Sequence, residues 1–227
     1  GKEGVFNLII EPLPLACFLD EVGSSASIFS AETGHSFLNG KLGKRVASEC
    51  VSLVDDARLP NGYSSTEFDE EGVPTRANKI LEHGVFKTFL HNTSTAVRYK
   101  TKTTASAGLV SPSAHNLVLD AGELSSEELL QEAKNGLLIT NTWYTRFQNY
   151  EKGEFSTIPR DAILEIKNGK IAGAVQGIRI TDSMLNILKN TGALEKQRKQ
   201  IVSWEADTPV LAPSVLVKGV RVTCSSQ

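Results

Sequence analysis

Apolar and polar positions along this chain follow two periods, and each change of period marks an element. Val5-Phe6-Asn7-Leu8-Ile9-Ile10 is a nearly continuous run of β-branched and aromatic residues stopped by Glu11-Pro12, which predicts a buried strand. Between Leu15 and Val22 the apolar residues fall at helical spacing, with Pro14 in the first turn, where a missing N–H removes no hydrogen bond. Gly23-Ser24-Ser25 is expected to weaken or end that helix. Two tight hairpins are predicted, one around Asn168-Gly169 between residues 162–167 and 170–172, the other around His83-Gly84 between residues 79–82 and 85–87. Ile-Leu-Glu occurs in the first strand of both, which suggests a duplicated unit. Ser125 with Glu128 forms a capping box, Leu129, Leu130 and Ala133 follow, and Asn135-Gly136 supplies a stop, so a helix is expected there. Residues 137–140 resume as a strand. A further helix is predicted from a cap at Thr181 or Asp182 through Met184, Leu185, Ile187 and Leu188 to Gly192. The final run, residues 215–223, reads as a strand interrupted at Gly219, a candidate bulge. Strands outnumber helices and hairpins join them, so the expected fold is a β-dominated, largely antiparallel α+β domain with a few helices.

Composition narrows the function classes. The chain has 227 residues, 40% hydrophobic and 22% charged, enough for a core that needs no metal or disulfide staple. Its 24 basic and 26 acidic residues are interleaved, with only Lys196-Gln197-Arg198-Lys199 as a basic stretch, which argues against a phosphate-tracking nucleic-acid surface. The most apolar region, residues 5–19, is broken by Asn7, Glu11, Pro12 and Pro14 and has no basic leader, so neither a membrane span nor a signal peptide is expected. Cys17, Cys50 and Cys224 are odd in number and widely spaced, which fits buried small hydrophobes in a reducing, cytoplasmic compartment.

The residues able to carry chemistry are dispersed. His35, His83, His91 and His115 make no local metal-ligand spacing, and His83 reads as a turn residue beside Gly84. Asp69-Glu70-Glu71-Gly72 reads as a solvated turn in which one side chain fixes a backbone N–H. Asp20 and Glu21 interrupt an apolar helical segment, and since adjacent helical residues point about 100° apart, at most one of them can face a groove. There is no Gly-x-Ser-x-Gly elbow and no phosphate loop. Residues 141–150, with Trp143, Tyr144, Phe147 and Tyr150 among amides, read either as a recognition loop or as a core anchor.

Taken together, several stretches resemble the C-terminal half of the PmbA/TldD family, whose members are also named modulators of DNA gyrase and are associated with peptidase activity. The resemblance rests on Gly40-Lys41-Leu42-Gly43-Lys44-Arg45-Val46-Ala47-Ser48, Phe68-Asp69-Glu70-Glu71-Gly72-Val73-Pro74-Thr75, the Glu82-His83-Gly84-Val85 hairpin, Asn116-Leu117-Val118-Leu119, Gly153-Glu154-Phe155-Ser156, and residues 165–170. It implies that residues 1–227 form the family's C-terminal domain, the usual N-terminal domain lying outside this chain. In the metal-bearing branch a His-Glu-x-x-x-His helix precedes the Gly-x-x-Gly-x-Arg-Val-Ala-Ser segment and supplies two zinc ligands and a catalytic Glu. Counted back from Gly40, those positions fall on Leu19, Asp20 and Ser24, and the third ligand, a cysteine, falls near Ser203-Trp204-Glu205. Leu has no donor atom and a Ser hydroxyl is a poor zinc ligand, so no cofactor is expected and the chain resembles the metal-less, PmbA/TldE-like branch. That branch implies a metal-bearing TldD-like partner subunit, a homo- or hetero-dimer, and an unfolded peptide as substrate. Small residues at Ala105-Ser106-Ala107-Gly108 and the walls Trp143 and Tyr144 are the expected peptide contacts. The rival readings are an active peptidase with a rearranged site using Asp20, Glu21 and a nearby histidine, and a scaffold that touches no peptide.

Overall fold

A computed structural model of the chain describes residues 3–224. In chain order the elements are β1 (Gly4–Ile10), α1 (Pro12–Ala26), α2 (Ile28–Glu32), β2 (Leu53–Asp56), β3 (Ala77–Glu82), β4 (Val85–Phe86), α3 (Thr93–Arg98), β5 (Leu117–Leu119), α4 (Ser126–Ala133), β6 (Gly136–Asn149), β7 (Glu154–Lys167), β8 (Lys170–Ala174), β9 (Ile178–Ser183), α5 (Met184–Lys189), β10 (Thr191–Ser203) and β11 (Ala206–Cys224). All strands join one sheet that is mainly antiparallel, with β1–β6 and β5–β11 parallel, as expected for a β-dominated α+β domain. β1 pairs with β6 and β11, β6 with β7, β7 with β9, and β9 with β11, so these five strands close a ring. From β11 the sheet continues outward through β5, β2, β3 and β4.

The C-terminal half of β1, residues 8–10, is buried on both faces, which is why it reads as a continuous apolar run rather than an alternating one. Leu8 and Ile10 face the main core with Phe18, Phe155, Val215 and Val217, while Ile9 and Leu216 face a second cluster under α4 with Leu129, Ala133 and Ile166. Side chains two apart share a face of a strand, so the two clusters partition β1 and β11 between them. At Gly219 (φ 69°) β11 bulges: Asn7 stands opposite both Lys218 and Gly219, and its Oδ1 accepts the Gly219 N–H at 3.4 Å.

The helices differ from the sequence expectations in instructive ways. α1 starts two residues earlier, with Pro12 in its first turn, and runs on through Gly23-Ser24-Ser25 to Ala26. Packing explains the extension: a Cβ on Gly23 would lie 2.8 Å from Leu117 Cδ1, so glycine lets β5 approach, and the buried Ser25 carbonyl accepts the Ser36 hydroxyl at 2.6 Å. Close tertiary contact here outweighs the roughly 1 kcal/mol helix penalty of glycine. α4 has its capping box, but its end is set by Lys134 at φ 56°; Gly136 instead lets β6 pass β1, since a Cβ there would sit 2.1 Å from the Asn7 carbonyl oxygen. α5 is capped by Ser183, the last residue of β9, whose hydroxyl accepts the Asn186 N–H, rather than by Thr181 or Asp182. Both hairpins form with two positive-φ residues, His83 and Gly84 in one, Asn168 and Gly169 in the other. Residues 141–149 are not a loop: β6 continues through them, paired with β7. Of the cysteines only Cys17 is buried; Cys50, in a turn where its thiol reaches the Thr191 carbonyl at 3.4 Å, and Cys224, at the end of β11, are exposed.

Candidate functional site

The segments that carry the family resemblance are structurally central. The Gly40–Ser48 stretch wraps the His83-Gly84 turn, with Val46 and Ala47 N–H groups both donating to the Gly84 carbonyl at 2.8 and 3.1 Å, and Arg45 donating to the His83 carbonyl at 3.0 Å. A Cβ on Gly84 would lie 2.3 Å from the Ala47 carbonyl oxygen, so the turn takes glycine for its neighbour as well as for its φ of 77°. Asp69 is buried rather than solvated. Its Oδ1 accepts the N–H groups of Glu71 and Val73 at 3.0 and 2.9 Å, and its Oδ2 accepts that of Ala107 at 3.1 Å, tying this turn to the 105–108 segment.

The second half of α1 faces the turn between β10 and β11. Leu19 is 3% exposed and lines a small apolar void of about 20 Å³ with Phe18, Val22, Met184 and Leu188. Asp20, half-buried, turns to the strand instead: Oδ2 accepts the Asp207 N–H and Oδ1 the Thr208 N–H, both at 3.1 Å. Burial raises its pKa, and the bonds from Thr208 and Asp207 pull it back down in part. Glu21 makes no hydrogen bond or ion pair among the described residues; burial first, then the charges of Asp20 and Asp207, push its pKa up to about 7 against the lowering effect of Arg146. Ser24 is exposed and opens onto a polar cleft of about 160 Å³ with Ser27, Ser30, Ser111, Asp20 and Thr208. Below them the Cys17 thiol is pushed up to about 12 by burial and the nearby carboxylates Glu205 and Asp20, which leaves it an inert thiol.

The turn itself is fixed by Glu205. One carboxylate oxygen accepts the Tyr144 N–H at 2.7 Å and the other the Thr145 N–H at 3.4 Å, satisfying backbone donors on β6 where Tyr144 and Thr145 bulge opposite Thr157. Trp143 is half-buried and Tyr144 exposed, and both ring systems meet Trp204 from the turn. The sequence stretch that read as a loop or an anchor therefore supplies an aromatic surface beside α1, and the alternation that signals a strand is hidden by the bulge. Ala105, Ser106 and Ala107 are buried, with the Ala107 N–H on Asp69 and its carbonyl taken by Glu70; Gly108 is half-buried and donates to the Ser111 carbonyl at 3.1 Å. The structure bonds Asp20 to the strand that leaves the turn carrying Trp204 and Glu205, and keeps Ala105, Ser106 and Ala107 inside the fold.

The histidines stay dispersed. His35 packs on Tyr150, His83 sits in its turn, and His91 lies near Thr95 and Tyr99 with its pKa lowered by burial. His115 Nδ1 stands 3.8 Å from Asp55 Oδ2. None of the four is hydrogen-bonded to Asp20 or Glu21, and among the described residues no group of three or more His, Cys, Asp or Glu is placed to hold a metal ion.

Residues 3–224 match the PmbA/TldA metallopeptidase C-terminal domain. The chain belongs to this family. A metalloprotease of Methanocaldococcus jannaschii is 30% identical over 208 residues, which cover 89% of this chain and 46% of that protein. Relatives named as TldD and PmbA homologues, both from Buchnera aphidicola, are 26% and 25% identical over 69% and 76% of this chain and 33% and 37% of their own lengths. Among solved structures, a Thermotoga maritima protein carrying the name of a DNA gyrase modulator superposes with a TM-score of 0.88 at 32% identity, over 98% of this chain and 50% of that one. TldE from Thermococcus kodakarensis superposes at 0.87 with 24% identity, over 98% and 51%, a likeness of fold. The chain thus spans about half the length of these PmbA/TldA-family structures. No helix among the described residues is long and apolar enough to cross a membrane.

Proposed function

We propose that this chain is the C-terminal domain of a PmbA/TldE-like subunit, one that shapes the peptide chamber of a peptidase acting on unfolded peptides while a metal-bearing TldD-like partner performs the hydrolysis. The observation that carries this reading is the state of α1 where the family's metal helix is expected. Leu19 is buried in apolar surroundings and has no donor atom, and both Asp20 oxygens are taken by backbone N–H groups of β11. Glu205, in the turn where a third ligand is expected, is likewise committed to β6. This donor set does not fit a tetrahedral zinc with an open position for water. Without the ion, nothing at this end lowers the pKa of water toward neutrality, so no hydrolytic step is assigned to these residues.

In this reading the domain contributes shape: Trp143 and Tyr144 form part of the chamber wall, while of the expected contacts at 105–108 Ala105, Ser106 and Ala107 are buried and the half-buried Gly108 alone is open to a peptide. Elemental analysis of the purified chain, followed by a peptidase assay with and without a metal-bearing TldD-like subunit, tests the proposal. Expected are no stoichiometric zinc in the isolated chain and activity only in the mixture. Stoichiometric zinc in the isolated chain, lost on Asp20→Asn or Glu21→Gln substitution, would overturn it in favour of a rearranged active site.

A further inference from the structure

Beside the closed end of α1 lies a surface of a different kind. Trp143, Tyr144 and Trp204 stand mutually edge-on, with ring centroids 6.3, 6.0 and 6.4 Å apart for the three pairs 143–144, 143–204 and 144–204. Trp204 is 67% exposed and Tyr144 48%, although aromatic side chains of this size are the ones a fold gains most by covering. Two guanidinium groups lie over the rings, Arg146 at 5.6 Å from the Tyr144 centroid and Arg160 at 5.5 Å from that of Trp143. Neither is within ion-pair distance of a carboxylate among the described residues; Arg146 feels Glu21 only at longer range and donates to the Thr145 carbonyl at 2.9 Å.

The arrangement is built rather than incidental. Tyr144 holds a φ of 57°, a left-handed backbone that an aromatic residue adopts at a strain of order 1 kcal/mol, and Glu205 accepts its N–H at 2.7 Å. Glu205 is held by these backbone donors and makes no ion pair with either guanidinium group among the described residues.

A guanidinium held over a ring still presents N–H donors outward, and a pair of them matches a carboxylate in two parallel hydrogen bonds; Arg146 has already given one Nη1 donor to Thr145. Aromatic rings with arginine are also the composition that dominates binding energy at interfaces. We propose that this patch binds extended peptide segments in which an internal Asp or Glu side chain adjoins an aromatic residue, the carboxylate meeting Arg160 or Arg146 and the ring packing on Trp204. The proposal rests on the peptide-chamber reading above and adds a substrate preference to it. Segments with Lys or Arg at the same place make no such carboxylate–guanidinium pair.

The chain has only two tryptophans, Trp143 and Trp204, and both lie in the patch, so intrinsic tryptophan fluorescence reports this surface alone. The test is a titration of the full chain with tryptophan-free peptides, acetylated and amidated to remove terminal charges, that differ only in Phe-Glu, Phe-Gln or Phe-Lys repeats. Expected is binding of the Phe-Glu peptide at least about tenfold tighter than the Phe-Gln peptide, weakened by added salt. The double substitution Arg146→Gln with Arg160→Gln is expected to remove most of that difference, each single substitution only part of it, while the melting temperature stays unchanged, since both side chains are exposed. Equal affinity for the Glu and Gln peptides, or tighter binding of the Lys peptide, overturns the proposal. Failure of the underlying reading looks different: hydrolysis by the isolated chain would remove the pseudo-enzyme and leave the preference standing, whereas activity in the mixture without charge discrimination would do the reverse.

Discussion

The two sides of the β10–β11 turn differ sharply. On the α1 side the positions nearest the turn are committed, with Leu19 in the core and Asp20 bonded to two backbone donors. On the β6 side the aromatic rings and arginines are exposed and make few bonds to the rest of the chain. The difference separates two demands on one stretch of sequence: the first side holds the fold together, and the second is free to hold something else. Substitutions on the two sides should therefore split cleanly between stability and binding.

The largest effect is expected at Leu19. Leu19→Ala should destabilise the chain by about 3 kcal/mol, because it removes buried methyl groups and enlarges an existing void, and denaturant unfolding would measure it. Leu19→His should cost a similar amount, and added zinc should fail to restore the melting temperature, since the second ligand position holds only the Ser24 hydroxyl and Glu205, near the third, is bonded to β6. Asp20→Ala leaves the Asp207 and Thr208 N–H groups unpaired and should destabilise by about 2 kcal/mol, with Asp20→Asn losing about half as much.

Glu21 is the exception on the closed side, and it gives a pH signature. Its carboxyl is raised from 4.5 to about 7 in the folded chain, so between those values the folded state holds a proton that the unfolded state has released. The favourable contribution is complete below about pH 4.5 and is lost as the pH rises through 7. Glu21→Gln should therefore gain stability over the parent at pH 8 by about 1–2 kcal/mol and show little difference at pH 4.5, measured as unfolding free energy against pH. The smallest effect is expected across the turn: Trp204→Ala should change stability by less than about 0.5 kcal/mol while weakening peptide binding, because most of its ring is in water.

Local rules carried the reading where structure is decided locally. The capping box of α4, the positive-φ turns at His83-Gly84 and Asn168-Gly169, and the bulge at Gly219 all follow from residues within a few positions of one another. What the sequence concealed depends on distant contacts. The passage of α1 through Gly23-Ser24-Ser25 needs Leu117 at the glycine, and the burial of Asp69 needs the Ala107 N–H. Residues 141–149 hide their strand because the bulge at Tyr144 breaks the two-residue period, although Thr, Trp, Tyr and Phe are all strand formers. The commitment of Asp20 to a partner near the opposite end of the chain could not be read at all, since nothing around residue 20 or residue 207 signals the other.

The closure of the ring through β1 and β11 has a consequence for how this polypeptide is made. Val5 lies beside Arg221 and Ile10 beside Val215, so neighbours in space are separated by nearly the whole sequence. Topologies dominated by such remote pairings fold slowly. During synthesis β1 can pair with β6 and pack on α1 early, but its other edge stays open until β11 has left the ribosome, which makes the nascent chain a candidate for chaperone protection.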